Sequence, residues 1–156
     1  HIAGELGKRL AVLCPAHEGK RDRPLTWHEE SVRMLGFLPN RVVFRLVEVD
    51  KPRPPEVEEF VARGALAELR DEILRRYQAS IHDCGVVQAR LAVEEDGADV
   101  VFFACTLWGG MLGPVADAVP VPVLDPVITT LKAAECAAKA TVATLGKCKS
   151  TRPRKG

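Results

Sequence analysis

The five cysteines of this chain, at positions 14, 84, 105, 136 and 148, form no CxxC pair and no spacing typical of zinc ligands. A structural zinc site is therefore not written into it. Neither GxGxxG nor GxxxxGKS/T occurs, which removes support for a dinucleotide or a P-loop nucleotide. Charge of one sign is also lacking. Twenty-two Lys and Arg face twenty-one Asp and Glu, so no net field draws the chain to nucleic acid or to an anionic membrane. The large polar aromatics, Trp27, Tyr77 and Trp108, do not interleave with a basic stripe, which argues against stacking on nucleic acid bases. Long apolar runs are missing as well: Val115–Ile128 is broken by Asp and Pro and is too short to span a bilayer. The start, His1 to Leu6, lacks the basic segment and long apolar core of a signal peptide. An odd, scattered set of cysteines fits reduced thiols in the cytoplasm. The first residue is His rather than Met, and the expectation is that residues upstream are missing.

What is present suffices for one compact domain, with 156 residues of which 47% are hydrophobic. Lys8–Cys14 is apolar on both faces and ends at Pro15, as a buried strand does. A long polar loop, 15–26, leads to a helix over Trp27–Leu38. Val42–Val49, rich in β-branched residues and stopped by Lys51-Pro52-Arg53-Pro54-Pro55, is a second strand. From Glu56 to Gly97 the spacing is helical, with a break expected near Ser80–Asp83, where Asp83 caps a second helix running through Glu95. Asp99–Ala104 is a third strand. A short helix over Gly109–Val119, a fourth strand over Val121–Leu124 and a helix over Val127–Leu145 complete the pattern. Residues 1–146 form the domain, and 147–156 a basic tail. Strands alternating with helices predict an α/β fold, a parallel Rossmann-like sheet with helices on both faces.

In such sheets ligands bind beyond the carboxyl ends of the strands. Cys14-Pro15, Asp50, Cys105-Thr106 and Asp125-Pro126 share that edge. Cys105 ends the third strand and precedes Thr106, Leu107, Trp108 and the pair Gly109-Gly110 on the way to a helix. Free backbone amides and a helix dipole there favour a thiolate, a species suited to general-base work. The bland alternative is a small apolar residue at a tight turn.

The stretch GADVVFFACTLWGGMLGPVADAVPVPVLDPVITTLKAAE, Gly97 to Glu135, resembles the second catalytic motif of the aspartate/glutamate/hydantoin racemase superfamily: a buried strand, Cys-Thr, a short helix, a Val-Pro-Val-like strand and Asp-Pro opening a long helix. The run Gly7 to Leu13 with the helical stretches after it resembles the family's carboxyl-terminal half. Leu145 to Ser150 is similar to the ending of hydantoin racemases. The resemblance implies proton exchange at an α-carbon without a cofactor or metal, between two cysteines that face each other across the substrate, one from each pseudo-symmetric half. Cys105 carries over as one of the pair and Thr106 as a ligand of the substrate's carboxylate or carbonyl. The first half, with its own cysteine, is absent from this chain, and His1 to Gly7 looks like the end of the helix linking the halves.

Cys14 also ends a strand on this edge and is a candidate second thiol. Cys84, Cys136 and Cys148 are expected to be structural or surface residues. His17 and His28 flank the polar loop, and His17 is a candidate for substrate contact, together with Leu107 beside Cys105. Asp125 is expected first as a helix cap and second as a site residue. The residues support three readings: an amino-acid or hydantoin racemase, a single-cysteine decarboxylase or maleate-type isomerase of the same superfamily, and a non-catalytic binding domain. The expected partner is a small molecule with a carboxylate or carbonyl next to the reacting carbon, with room left for a homo-oligomer.

Overall fold

The computed structural model describes residues 7–16 and 22–149, with side chains at 7–16 and 28–140. Four strands, β1 (Leu10–Ala16), β2 (Val42–Glu48), β3 (Val100–Phe103) and β4 (Val123–Leu124), form one parallel sheet in the order β2-β1-β3-β4. The fold is α/β, as expected. Helices are α1 (Asp22–Met34), α2 (Pro54–Ala62), α3 (Leu66–Ser80), α4 (Val86–Glu94), α5 (Gly113–Ala118) and α6 (Pro126–Lys149).

Side chains alternate between the faces of a strand. Ala11, Leu13, Val47, Val101 and Phe103 point to one face, where Tyr77, Ile81, Ala89, Ala92, Trp108 and Val115 from the helical segments complete the larger core. Leu10, Val12, Cys14, Val42 and Val100 point to the other, where Val32 of α1 packs beside Phe37. Both faces of the sheet thus carry helices. Helix α6 leans on the Thr106–Trp108 turn and leaves Val127, Ile128 and Leu131 exposed.

Several boundaries differ from those the sequence predicts. β1 starts at Leu10 because the Asp99 carboxylate takes the amides of Lys8 (2.8 Å) and Arg9 (2.9 Å) before the ladder begins. It runs on through Pro15 to Ala16. Leu13 accepts from the Ala104 amide, so Pro15, two residues on, turns its missing donor to the side that β3 has already left. Helix α1 starts at Asp22, not Trp27, since Pro24 is tolerated in a first turn, and stops at Met34, not Leu38. Gly36, at φ 81°, ends it with bonds from Gly36 to Arg33 (2.9 Å) and from Phe37 to Val32 (3.2 Å). β4 is two residues long, and Pro120 and Pro122 beside it have no amide to give a ladder.

The expected break at Ser80–Asp83 is absent. A π-helical turn, Ile81–Gly85, joins α3 to α4 without interruption, and Asp83 makes no side-chain cap there. The interruption lies earlier, at Gly64 (φ 69°), where Gly64 bonds to Val61 (3.0 Å) and Ala65 to Phe60 (2.9 Å), the αL ending that glycine permits. Helix α6 runs through Lys149, so the first three residues of the expected tail are helical. Among the described residues no helix is long and apolar enough to cross a membrane.

Candidate active site

Because all four strands run parallel, their carboxyl ends share one edge. Cys105 stands there, one residue past Ala104, with extended backbone (φ −141°, ψ 125°) and a half-buried thiol. A single 3-10 turn, Thr106–Trp108, comes next in the chain, closed by the Trp108 amide donating to the Cys105 carbonyl at 3.2 Å. This corrects one expectation: no α-helix begins beside Cys105. Leu112 and Pro114 set the start of α5 at Gly113, so the helix dipole contributes little at the sulfur.

The turn is held from beneath by Trp108, which is fully buried. Its ring meets Phe103 edge-on at 5.2 Å and Tyr77 at 5.8 Å. The indole N–H donates to the Ser80 hydroxyl at 3.0 Å, and Ser80 donates to the Tyr77 carbonyl at 2.6 Å. From above, Asp125 holds it. One carboxylate oxygen accepts from the Gly110 amide (2.6 Å), and the other from Val127 (2.9 Å) and Ile128 (3.0 Å) at the start of α6. Asp125 is thus the helix cap expected first, and a tether for the turn as well. The two glycines have separate reasons. A Cβ on Gly109 would collide with the Val127 side chain, and Gly110 sits at φ 77°.

Around the sulfur the structure gathers two residues that the sequence does not single out. Tyr77, from α3, belongs to the core cluster against which Cys105 packs, and burial together with Cys105 pushes the phenol well above its ordinary value. The Lys51 ammonium, in the loop after β2, sits 5.6 Å from the centre of the Tyr77 ring. Partial desolvation lowers Lys51, and the charge of Cys105 opposes that shift. Arg76, next to Tyr77, anchors the same loop: it pairs with Glu72 (2.6 Å), Glu56 (2.8 Å) and Asp50 (3.6 Å). Asp50, named from its strand-end position, therefore serves as a loop anchor.

The remaining candidates separate. Thr106 is exposed at the mouth of the turn beside Cys105. Leu107 lines a shallow apolar groove with Leu66, Leu69, Ile73 and Leu74 of α3. Cys14 is fully buried, and its thiol is pushed up to about 12, first by burial and second by the charge of Cys105. His17 lies outside the described residues. His28, on α1, is half-buried, which lowers it. Cys84 accepts from the Glu48 amide at 3.4 Å on the β2 edge, and Cys136 is exposed on α6. Among the described residues no group of three or more His, Cys, Asp or Glu side chains could hold a metal ion. Tyr77 could be found in the sequence only as a polar ring on the apolar stripe of α3, and Lys51 only as a cation at a strand's carboxyl end.

A four-stranded parallel sheet with a thiol on its carboxyl edge defines the class of fold. Within that class the chain is similar to the crystal structure of allantoin racemase from Pseudomonas fluorescens, at 23% identity and a TM-score of 0.56, over 90% of this chain and 49% of that one. The chain thus spans about half the length of that racemase. No family model and no curated protein matches.

Proposed function

We propose that this chain carries one catalytic half of a racemase-type enzyme, with Cys105 exchanging a proton at a carbon next to a carbonyl. The observation that supports this best is the seat of Cys105: a half-buried thiol on the carboxyl edge of a racemase-like sheet, packed against the core cluster of Tyr77 and within electrostatic reach of Lys51. In the proposed step the thiolate forms an S–H bond as the Cα–H bond breaks. The electron pair moves into the adjacent C=O, and the resulting enolate charge is countered by the Lys51 ammonium, the Thr106 hydroxyl and nearby amides. No cofactor takes part in this reading.

A hydantoin suits the site better than a free amino acid, because its ring carbonyl takes up charge without an adjacent carboxylate. Allantoin, the compound that names the structural neighbour, contains such a ring. Inversion needs an acid on the opposite face of the planar carbanion. Cys14 is fully buried and held neutral, so in this reading that acid comes from outside the described residues.

The same observation on Cys14 favours a second reading, decarboxylation by one thiol. There the C–C bond to a carboxylate breaks, carbon dioxide leaves with the pair retained as an enolate, and the Cys105 S–H protonates carbon. Incubation with a panel of chiral hydantoins and of arylmalonate-like diacids separates the two. In deuterium oxide, loss of the α-proton signal without gas supports proton exchange of the racemase type, and carbon dioxide release supports decarboxylation. If neither occurs, or if Cys105→Ser retains the activity, the proposal fails.

A further inference from the structure

Building on the reading of Cys105 as a thiolate base, we propose that Tyr77 is its positioning residue, donating a hydrogen bond to the sulfur while Lys51, seated against the Tyr77 ring, supplies the counter-charge. Tyr77 is 1% exposed, and its ring is locked edge-on against Trp108. A buried phenol needs a partner for its O–H, and Cys105 packs against the same core cluster as the Tyr77 ring, where it also pushes the phenol up. The arrangement is rigid on every side. Ser80 ties the Tyr77 carbonyl to the Trp108 indole, so the hydroxyl donor and the turn that carries Cys105 belong to one hydrogen-bonded unit.

Lys51 is placed by the neighbouring residue of the same helix. Arg76 grips Asp50 on one side of Lys51 and Glu56 beyond it, and Glu56 also accepts from the Arg53 amide at 2.6 Å. The loop therefore holds its ammonium over the Tyr77 ring, a cation–π seat, and within electrostatic reach of Cys105. Three titratable groups lie within electrostatic reach of the sulfur from separate elements: Tyr77 from α3, Lys51 from the loop after β2, and Cys14 from β1 across the sheet. Two of them favour a charged sulfur, while Cys14, neutral and buried, offers it no counter-charge. A single helix thus delivers both the donor and the anchor of the cation.

Alkylation by iodoacetamide reads this out without any substrate. The reagent is neutral, so removing Lys51 changes the thiolate and not the approach of the reagent. Tyr77→Phe keeps the ring and its packing, and it is expected to slow Cys105 alkylation at neutral pH about tenfold and to move the rate–pH profile to higher pH. Lys51→Gln, on an exposed loop, is expected to slow it about threefold at low salt, with Lys51→Arg restoring the rate. A purely structural Tyr77 would leave the profile in place. A Tyr77→Phe profile superimposed on that of the unmodified protein overturns the proposal, as does an unchanged Lys51→Gln rate at low salt. Turnover stays a separate matter: shifted profiles in a protein that turns over none of the panel would keep this proposal and sink the catalytic reading. Unshifted profiles with turnover abolished by Cys105→Ser would do the reverse.

Discussion

Cys14 and Cys105 stand near the carboxyl ends of adjacent parallel strands, yet the sheet treats them differently. Leu13 pairs with Phe103, so Cys14 is level with Ala104, and both pack on the face covered by α1. Cys105, one position further, falls on the opposite face beside the α3 helix and its tyrosine. A step of one residue along a strand reverses the side chain. It converts a sealed thiol, pushed up to about 12, into one that is half-buried and packed against the cluster of Tyr77. Strand parity, and not strand-end position, separates the two.

The comparison can be broken by exchanging roles. Cys105→Ser is expected to lower proton exchange by a factor of about a hundred to ten thousand while the thermal melt barely moves, since a hydroxyl is nearly isosteric but a far weaker base. Cys14→Ala should keep the activity and cost stability, of order 1 kcal/mol, as cavity-forming changes do. If Cys14→Ala abolished exchange and Cys105→Ser did not, the assignment would be inverted.

Next in size is the support of the turn that follows Cys105. Trp108→Ala removes the floor under Cys105 and is expected to cost about 3–5 kcal/mol, read by denaturant unfolding. Gly110→Ala forces a side chain onto a backbone at φ 77° and should cost about 1–2 kcal/mol. Either change should alter the alkylation rate of Cys105 and leave Cys14 sealed. Equal losses of protection at both thiols would mean that the turn is not a separate unit.

The smallest effect is electrostatic. The folded-state value of Cys14 is raised from 9.0 to about 12, so its neutral thiol contributes stability that is fully present below pH 9 and is lost as pH rises toward 12. Chemical unfolding across that window should fall less steeply in Cys14→Ala than in the unmodified protein. Identical slopes would show that the Cys14 thiol ionises as freely in the folded chain as in the unfolded one.

Much of the sheet is legible in the sequence because β-branched runs and their proline stops are local signals, and all four strands lie where such runs occur. Helix ends are less so. The stop at Gly64 is hidden because the apolar spacing continues on both sides of it, and the π turn at Ile81–Gly85 mimics a break because Ser80 and Asp83 are residues that often cap. Cys105 is visible as a strand-end thiol before Gly-Gly. Its neighbours Tyr77 and Lys51 are not, since they arrive from α3 and from the β2 loop, and no local pattern marks a phenol that shares a core cluster with a sulfur 28 positions away. Asp125 reads as a cap from its place before Pro126, but its second bond, to Gly110, depends on the folded turn.

The most direct test of the account is α-proton exchange of a chiral hydantoin in deuterium oxide, followed by proton NMR beside chiral chromatography. The account predicts that the α-proton signal fades with this chain and not with Cys105→Ser. It further predicts that this chain alone retains configuration, because one thiol on one side can remove and return the proton only there. Exchange that persists in Cys105→Ser, or full racemisation by the isolated 156-residue chain, would contradict it.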